Sequence, residues 1–105
     1  VIIFLLFNFL LALALTGPLG CVRPQEPQRL ELAERLGCFA CHSLSRQGGD
    51  VALPLDGVGA RLSPQKLRIA LTYPRRLHPH AQMPSYAYLP LKEQKTLLKY
   101  LESLR

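Results

Sequence analysis

Tryptophan is absent from this 105-residue chain, methionine occurs once, and aromatic side chains are limited to four Phe and four Tyr. The absence of Trp and the modest aromatic content fit a core completed from outside. No charged residue precedes Arg23, which sets the opening stretch apart from the rest. No internal repeat, glycine-rich phosphate loop or low-complexity tract occurs, so a nucleotide-cradling motif is excluded. No helix-turn-helix pattern or aromatic stacking platform supports nucleic-acid binding.

The opening run VIIFLLFNFLLALALT is interrupted only by Asn8 and Thr16. At about 1.5 Å per residue it falls short of the roughly 20 residues a bilayer span needs, which favours a signal-peptide core over a membrane helix. Residues 1–20 are therefore assigned as a signal peptide or membrane-anchor segment, and residues 21–26, which take in Cys21 and the first part of the Pro-rich VRPQEPQ, as a flexible linker. Residues 27–105 form the folded domain. With roughly 80 residues it is a marginal size for an unaided hydrophobic core, so a disulfide, metal or large cofactor is expected. The formal net charge of +6 favours acidic partners, nucleic acid or anionic lipid without choosing among them.

Leu30, Ala33 and Leu36 recur at helical spacing and predict a short amphipathic helix ended by Gly37. Ser43 to Arg61, rich in Gly and Pro, is expected to be an Ω-like loop. Leu62-Ser63-Pro64 offers an N-cap serine, a first-turn proline and a staple from Leu62 to Leu67, so a helix should run to about Thr72. Tyr73-Pro74 should stop it, and Arg75 through Tyr88 has too many prolines to be regular. From about Leu91, the residues Leu97, Leu98, Leu101 and Leu104 share one broad face of a final helix. Leu89-Pro90 provides no side-chain cap for it, a loss of about 1 kcal/mol.

The chemistry concentrates in Cys38-Phe39-Ala40-Cys41-His42. This spacing lets two thiols add to the two vinyl groups of one porphyrin while the following histidine supplies an axial nitrogen to iron. Two other uses compete. A CxxC redox couple needs a strand before the motif, whereas a helix precedes it here. A zinc site needs a fourth ligand, for which Cys21, His78 and His80 are available but form no second spaced pair. As an iron ligand His42 must be a neutral imidazole, so its other nitrogen should donate to a backbone carbonyl, expected in the Leu53-Pro54 region.

Six-coordinate iron requires a second ligand from far along the chain. Met83, the sole methionine, stands in Gln-Met-Pro-Ser-Tyr some forty residues after His42. Alone it would be core filling; beside CxxCH it is the candidate distal ligand. His78 and His80 share its segment and would give bis-histidine iron. A thioether favours the ferrous state and raises the potential relative to a second imidazole. A filled sixth position leaves no site for oxygen or peroxide, which points to a carrier and not an enzyme.

CFACH, the Gly-rich loop, GVGARLS, QMPSY and the terminal KYLESLR, in this order and spacing, resemble class I bacterial c-type cytochromes over about Pro27 to Arg105. The resemblance implies an all-α fold of three to four short helices around one covalent haem c. Its first and last helices would cross near the haem edge, with Tyr100 and Leu101 at the crossing. It also implies thioether bonds at Cys38 and Cys41, with His42 proximal and Met83 distal. Where the family often has a glycine and an aromatic at the crossing, this chain offers Leu30 and Glu34.

Cys21, after Gly20 and behind the apolar run, resembles a bacterial lipoprotein cleavage site. Lipidation, ordinary cleavage and an uncleaved anchor remain open, and each places the protein on the periplasmic side of the cell envelope. Arg61, Lys66, Arg68, Arg75 and Arg76 surround the Met83 segment. They are expected to be a solvated basic face, partners of haem propionates, or a patch that steers the haem edge toward an acidic redox protein. The expected function is single-electron transfer in a membrane-associated respiratory or photosynthetic chain, alone or as a complex subunit. The alternatives are a haem-based gas sensor with a displaceable distal ligand and an accessory domain of an enzyme.

Overall fold

The computed structural model describes residues 26–105; the export or anchor segment, most of the linker and Cys21 lie outside the described residues. Among these, no helix is long and apolar enough to cross a membrane. The fold is mostly helical, with very little strand. Three helices carry it: α1 (Glu26–Arg35), α4 (Pro64–Thr72) and α6 (Leu91–Ser103). Three single turns complete it: α2 (Cys38–Cys41), α3 (Val58–Arg61) and α5 (Pro74–Leu77). The expectation of three to four helices therefore holds for the long elements and misses short turns that Gly and Pro punctuate.

Local chemistry accounts for each element. Glu26 and Pro27 open α1, where an acidic side chain meets the positive end of the helix and a proline lacks only an N–H that would be unbonded anyway. Gly37 follows α1 with φ 80°, the left-handed conformation that glycine adopts without strain. Ser63 caps α4 by accepting from the Lys66 N–H at 3.3 Å, and Leu62 packs against the core that buries Leu67. Tyr73 ends α4, but Pro74 occupies the first helical position of α5 instead of beginning an irregular stretch. Its fixed φ suits a helix start, a use that proline counting overlooks. No side chain caps α6; Gln94 Nε2 instead donates back to the carbonyls of Leu89 (2.8 Å) and Ala87 (3.2 Å), tying down the entering chain.

The expected Ω-like loop contains regular structure. Ser43–Leu44 (β1) pairs antiparallel with Gln47–Gly48 (β2), and α3 follows at Val58. Ser45 and Arg46 join the strands with φ of 51° and 68°, both left-handed as a type I′ hairpin turn requires. Asn-Gly normally marks such turns, so Ser-Arg leaves little signal. Asp56 Oδ1 accepts from the Ser45 N–H at 2.9 Å and braces the turn.

α6 is the hub, packing against α1, α3 and α4. The core comprises Leu32, Ala33, Leu55, Val58, Leu67, Leu71, Tyr86, Leu89, Leu97, Tyr100 and Leu101. From α1, Leu32 and the fully enclosed Ala33 enter it, whereas Glu34 is exposed and Leu30 only half-buried. The small side chain at this contact is thus Ala33, not a residue at 30 or 34. A second close approach lies at Gly59, whose N–H donates to the Leu104 carbonyl at 2.9 Å. A Cβ there would fall 2.7 Å from the Glu102 carbonyl carbon and 2.8 Å from the Leu101 oxygen.

Gly59→Ala should therefore force α3 away from α6 and cost about 2 kcal/mol, seen as a lower urea midpoint at unchanged slope. Ala60→Ser, at an exposed position of the same turn, should change stability by less than about 0.5 kcal/mol.

Candidate functional site

The site begins where α1 turns over at Gly37. The one-turn helix α2 then places Cys38 and Cys41 three residues apart, which on a helix puts them on one face. His42 leaves the turn in extended conformation, φ −101° and ψ 144°, while its N–H still bonds the Cys38 carbonyl at 3.0 Å. The carbonyls of the turn are held by the loop that follows. Gly49 N–H donates to Phe39 O and Ala52 N–H to Cys41 O, each at 2.9 Å. Gly49 lies so close to Ala40 that a Cβ would sit 2.7 Å from the Ala40 carbonyl carbon. The hairpin is thereby laid flush against the motif.

The same loop orients the histidine. His42 Nδ1 is 2.6 Å from the carbonyl oxygen of Leu53, within the region expected to supply the acceptor. A carbonyl only accepts, so Nδ1 carries the proton and Nε2 keeps its lone pair in the neutral ring. Arg61 secures that stretch of backbone: its guanidinium donates to the carbonyls of Pro54, at 2.7 Å, and Asp56. Arg61 was expected in the outward basic patch, yet its donors are turned onto the loop that holds His42.

Cys38 and Cys41 form no disulfide; Cys38 is half-buried and Cys41 exposed. Burial pushes the Cys38 thiol above its ordinary value, opposite to the depressed pKa that a nucleophilic redox cysteine requires. Among the described residues, no three His, Cys, Asp or Glu side chains are gathered to hold a metal ion. His78 and His80 are exposed on their loop and join no such group.

Met83 packs half-buried against the core, while His78 and His80 are both exposed. Its segment is tied to the cysteine motif by Tyr86, three residues on. The Tyr86 hydroxyl donates to Leu36 O at 2.9 Å, two residues before Cys38, and its N–H donates to Leu71 O at 2.8 Å. Tyr86 thus joins the motif, α4 and the Met83 segment. Sequence reasoning gave it no role, although a buried tyrosine needs a hydroxyl partner and Tyr86 closes the QMPSY string. Ser85 reinforces the joint through its hydroxyl, which donates to Thr72 O.

These residues fit a covalently attached haem. Two unlinked thiols share one turn, an imidazole holds its proton on the nitrogen bonded to backbone, and a thioether stands on a segment fastened beside them. Leu36, Phe39 and Leu44, beside the motif in the chain, are only partly buried against the core, so apolar surface stays exposed there. Lys66, Arg68, Arg75 and Arg76 are exposed, with Arg76 stacked on the Tyr73 ring at 4.5 Å. The sequence matches no protein-family model, and no curated protein is significantly similar to it.

Burial first, then the nearby Cys38 thiol, pushes the Tyr86 phenol above its ordinary value of 10.0. An acid whose folded pKa is raised favours folding fully below its unfolded pKa, and that contribution disappears as pH rises through the folded value. Tyr86→Phe should lose about 1 kcal/mol at pH 8 with the hydrogen bond. Its deficit against the parent should shrink above pH 10, as measured by urea titrations at the two pH values.

Proposed function

We propose that this chain is a monohaem c-type cytochrome of the class I type, a carrier of single electrons on the periplasmic side of the cell envelope. Cys38 and Cys41 would hold the haem through thioether bonds, each thiol adding S–H across a vinyl group without net oxidation. His42 Nε2 and Met83 Sδ would hold the iron. The observation that carries this reading is the His42 Nδ1 bond to Leu53 O, 2.6 Å long and directly behind a CxxCH motif. It sets tautomer and ring plane, and it makes the imidazole a stronger donor to iron.

When bound, the haem supplies an iron centre that exchanges one electron between ferric and ferrous states. The chain's part is to orient and shield. The Arg61 contacts keep the Leu53 carbonyl from drifting, and the Tyr86 joint keeps the Met83 segment near the motif. Met83 as a soft sixth ligand holds the potential high relative to bis-histidine iron. Between Asp56 and Glu93 the sequence contains no Asp or Glu, so the α4, α5 and Met83 region is uniformly cationic. Such a face suits brief, salt-sensitive docking to acidic redox proteins. The apolar N-terminal run, or lipid on Cys21, supplies membrane attachment.

Expression of the full chain with cytochrome c maturation machinery should yield haem that survives denaturing electrophoresis and is lost in the Cys38→Ala, Cys41→Ala double variant. Met83→Ala should retain covalent haem, and its reduced form should bind carbon monoxide rapidly while the parent does so slowly. Absence of covalent haem would sink the proposal. Rapid carbon monoxide binding by the parent would transfer it to the gas-sensing alternative.

A further inference from the structure

We propose that the groove between α4 and α6 is the face on which the folded domain rests against an anionic bilayer. The inference depends on the membrane attachment proposed above and adds which surface meets the lipid. The groove encloses about 180 Å³ and is floored by Leu71, Leu89, Leu97 and Leu98, with Arg68 and Lys95 at its mouth. Its uncharged side-chain donors are already engaged. Gln94 Nε2 donates to two carbonyls, and the Thr72 hydroxyl donates to Arg68 O at 2.8 Å. What enters must therefore be apolar, with negative charge where it meets the two cations. Neither cation is in an ion pair among the described residues, and the adjacent Glu93 pairs with Arg35. Tyr88 and Leu91 project beside the groove at 74 % and 71 % exposure. An amphipathic ring and an aliphatic side chain flanked by cations suit the boundary between headgroups and acyl chains.

Chain length distinguishes a bilayer from a soluble acidic protein as the occupant. Only residues 22–25 separate Cys21 from Glu26, and even fully extended they let Glu26 stand no more than about 18 Å from Cys21. If Cys21 is at the membrane, the domain is held against it. α1, which begins at Glu26, packs against α6, and Leu91, Gln94, Lys95, Leu97 and Leu98 of α6 form one wall of the groove. The groove is thus close to the tethered end of the domain.

The test is labelling of the full haem-loaded chain in vesicles of phosphatidylcholine alone or mixed with phosphatidylglycerol, each carrying a photoreactive diazirine on an acyl chain. Adducts are located by mass spectrometry. Labelling within Tyr86–Leu98 is expected in the mixed vesicles and should fall about tenfold or more in phosphatidylcholine alone or when Arg68 and Lys95 are both changed to Glu. Leu91→Asp, at an exposed position that leaves the core intact, should also abolish most of it. Adducts confined to residues before Glu26, or groove labelling indifferent to these changes, would overturn the proposal. A chain that fails to enter vesicles at all would instead refute the membrane attachment.

Discussion

Everything at this site depends on the hydrogen bond between His42 Nδ1 and the Leu53 carbonyl. An imidazole offers one lone pair in its neutral form, and the position of its single proton decides which nitrogen is available. Eleven residues of chain separate the partners, so the bond exists only if the loop returns to the motif in one register. The hairpin at Ser43–Gly48, the Gly49 approach to Ala40, and the two carbonyl contacts of Arg61 serve that return. They remove freedom from the Leu53 backbone, which is preorganisation in structural terms.

A second dependence is packing around a thin core. Among the described residues, only Leu67 and Leu97 of the large side chains are fully enclosed, and no polar or charged residue is buried. α6 serves α1, α3 and α4 at once, and close approach is possible because Ala33 and Gly59 bring little or no side chain to their contacts. Tyr86 extends this frame to the segment carrying Met83 through one phenol and one backbone N–H. A domain of this size gains from a large apolar group in its half-buried surface, so cofactor binding and folding should be strongly coupled.

The sequence revealed the parts governed by local chemistry. Ser63-Pro64 marks the start of α4, the leucine periodicity marks α6, and CFACH followed by a distant methionine marks the candidate site. In sequence the Leu53-Pro54 region is the candidate source of the His42 acceptor, and Leu53 supplies it. The missed features depend on backbone geometry or tertiary contact. Ser45 and Arg46 adopt left-handed conformations that neither residue advertises, stabilised by Asp56 from eleven residues away. Pro74 starts a turn where its presence suggested only an ending. Arg61 reads as another surface cation in sequence, whereas its guanidinium bonds two loop carbonyls, and Ala33 is the enclosed contact of α1 while Leu30 packs half-buried against the core and Glu34 faces outward.

The most direct test of the account is the absorption spectrum of the oxidised, haem-loaded protein beside that of its Met83→Ala variant. Ligation by the Met83 thioether predicts a weak band at the red end of the parent spectrum that disappears in the variant, with covalent haem retained in both. A parent spectrum without that band, or one unchanged by the substitution, would contradict axial ligation by Met83 and the electron-carrier reading built on it.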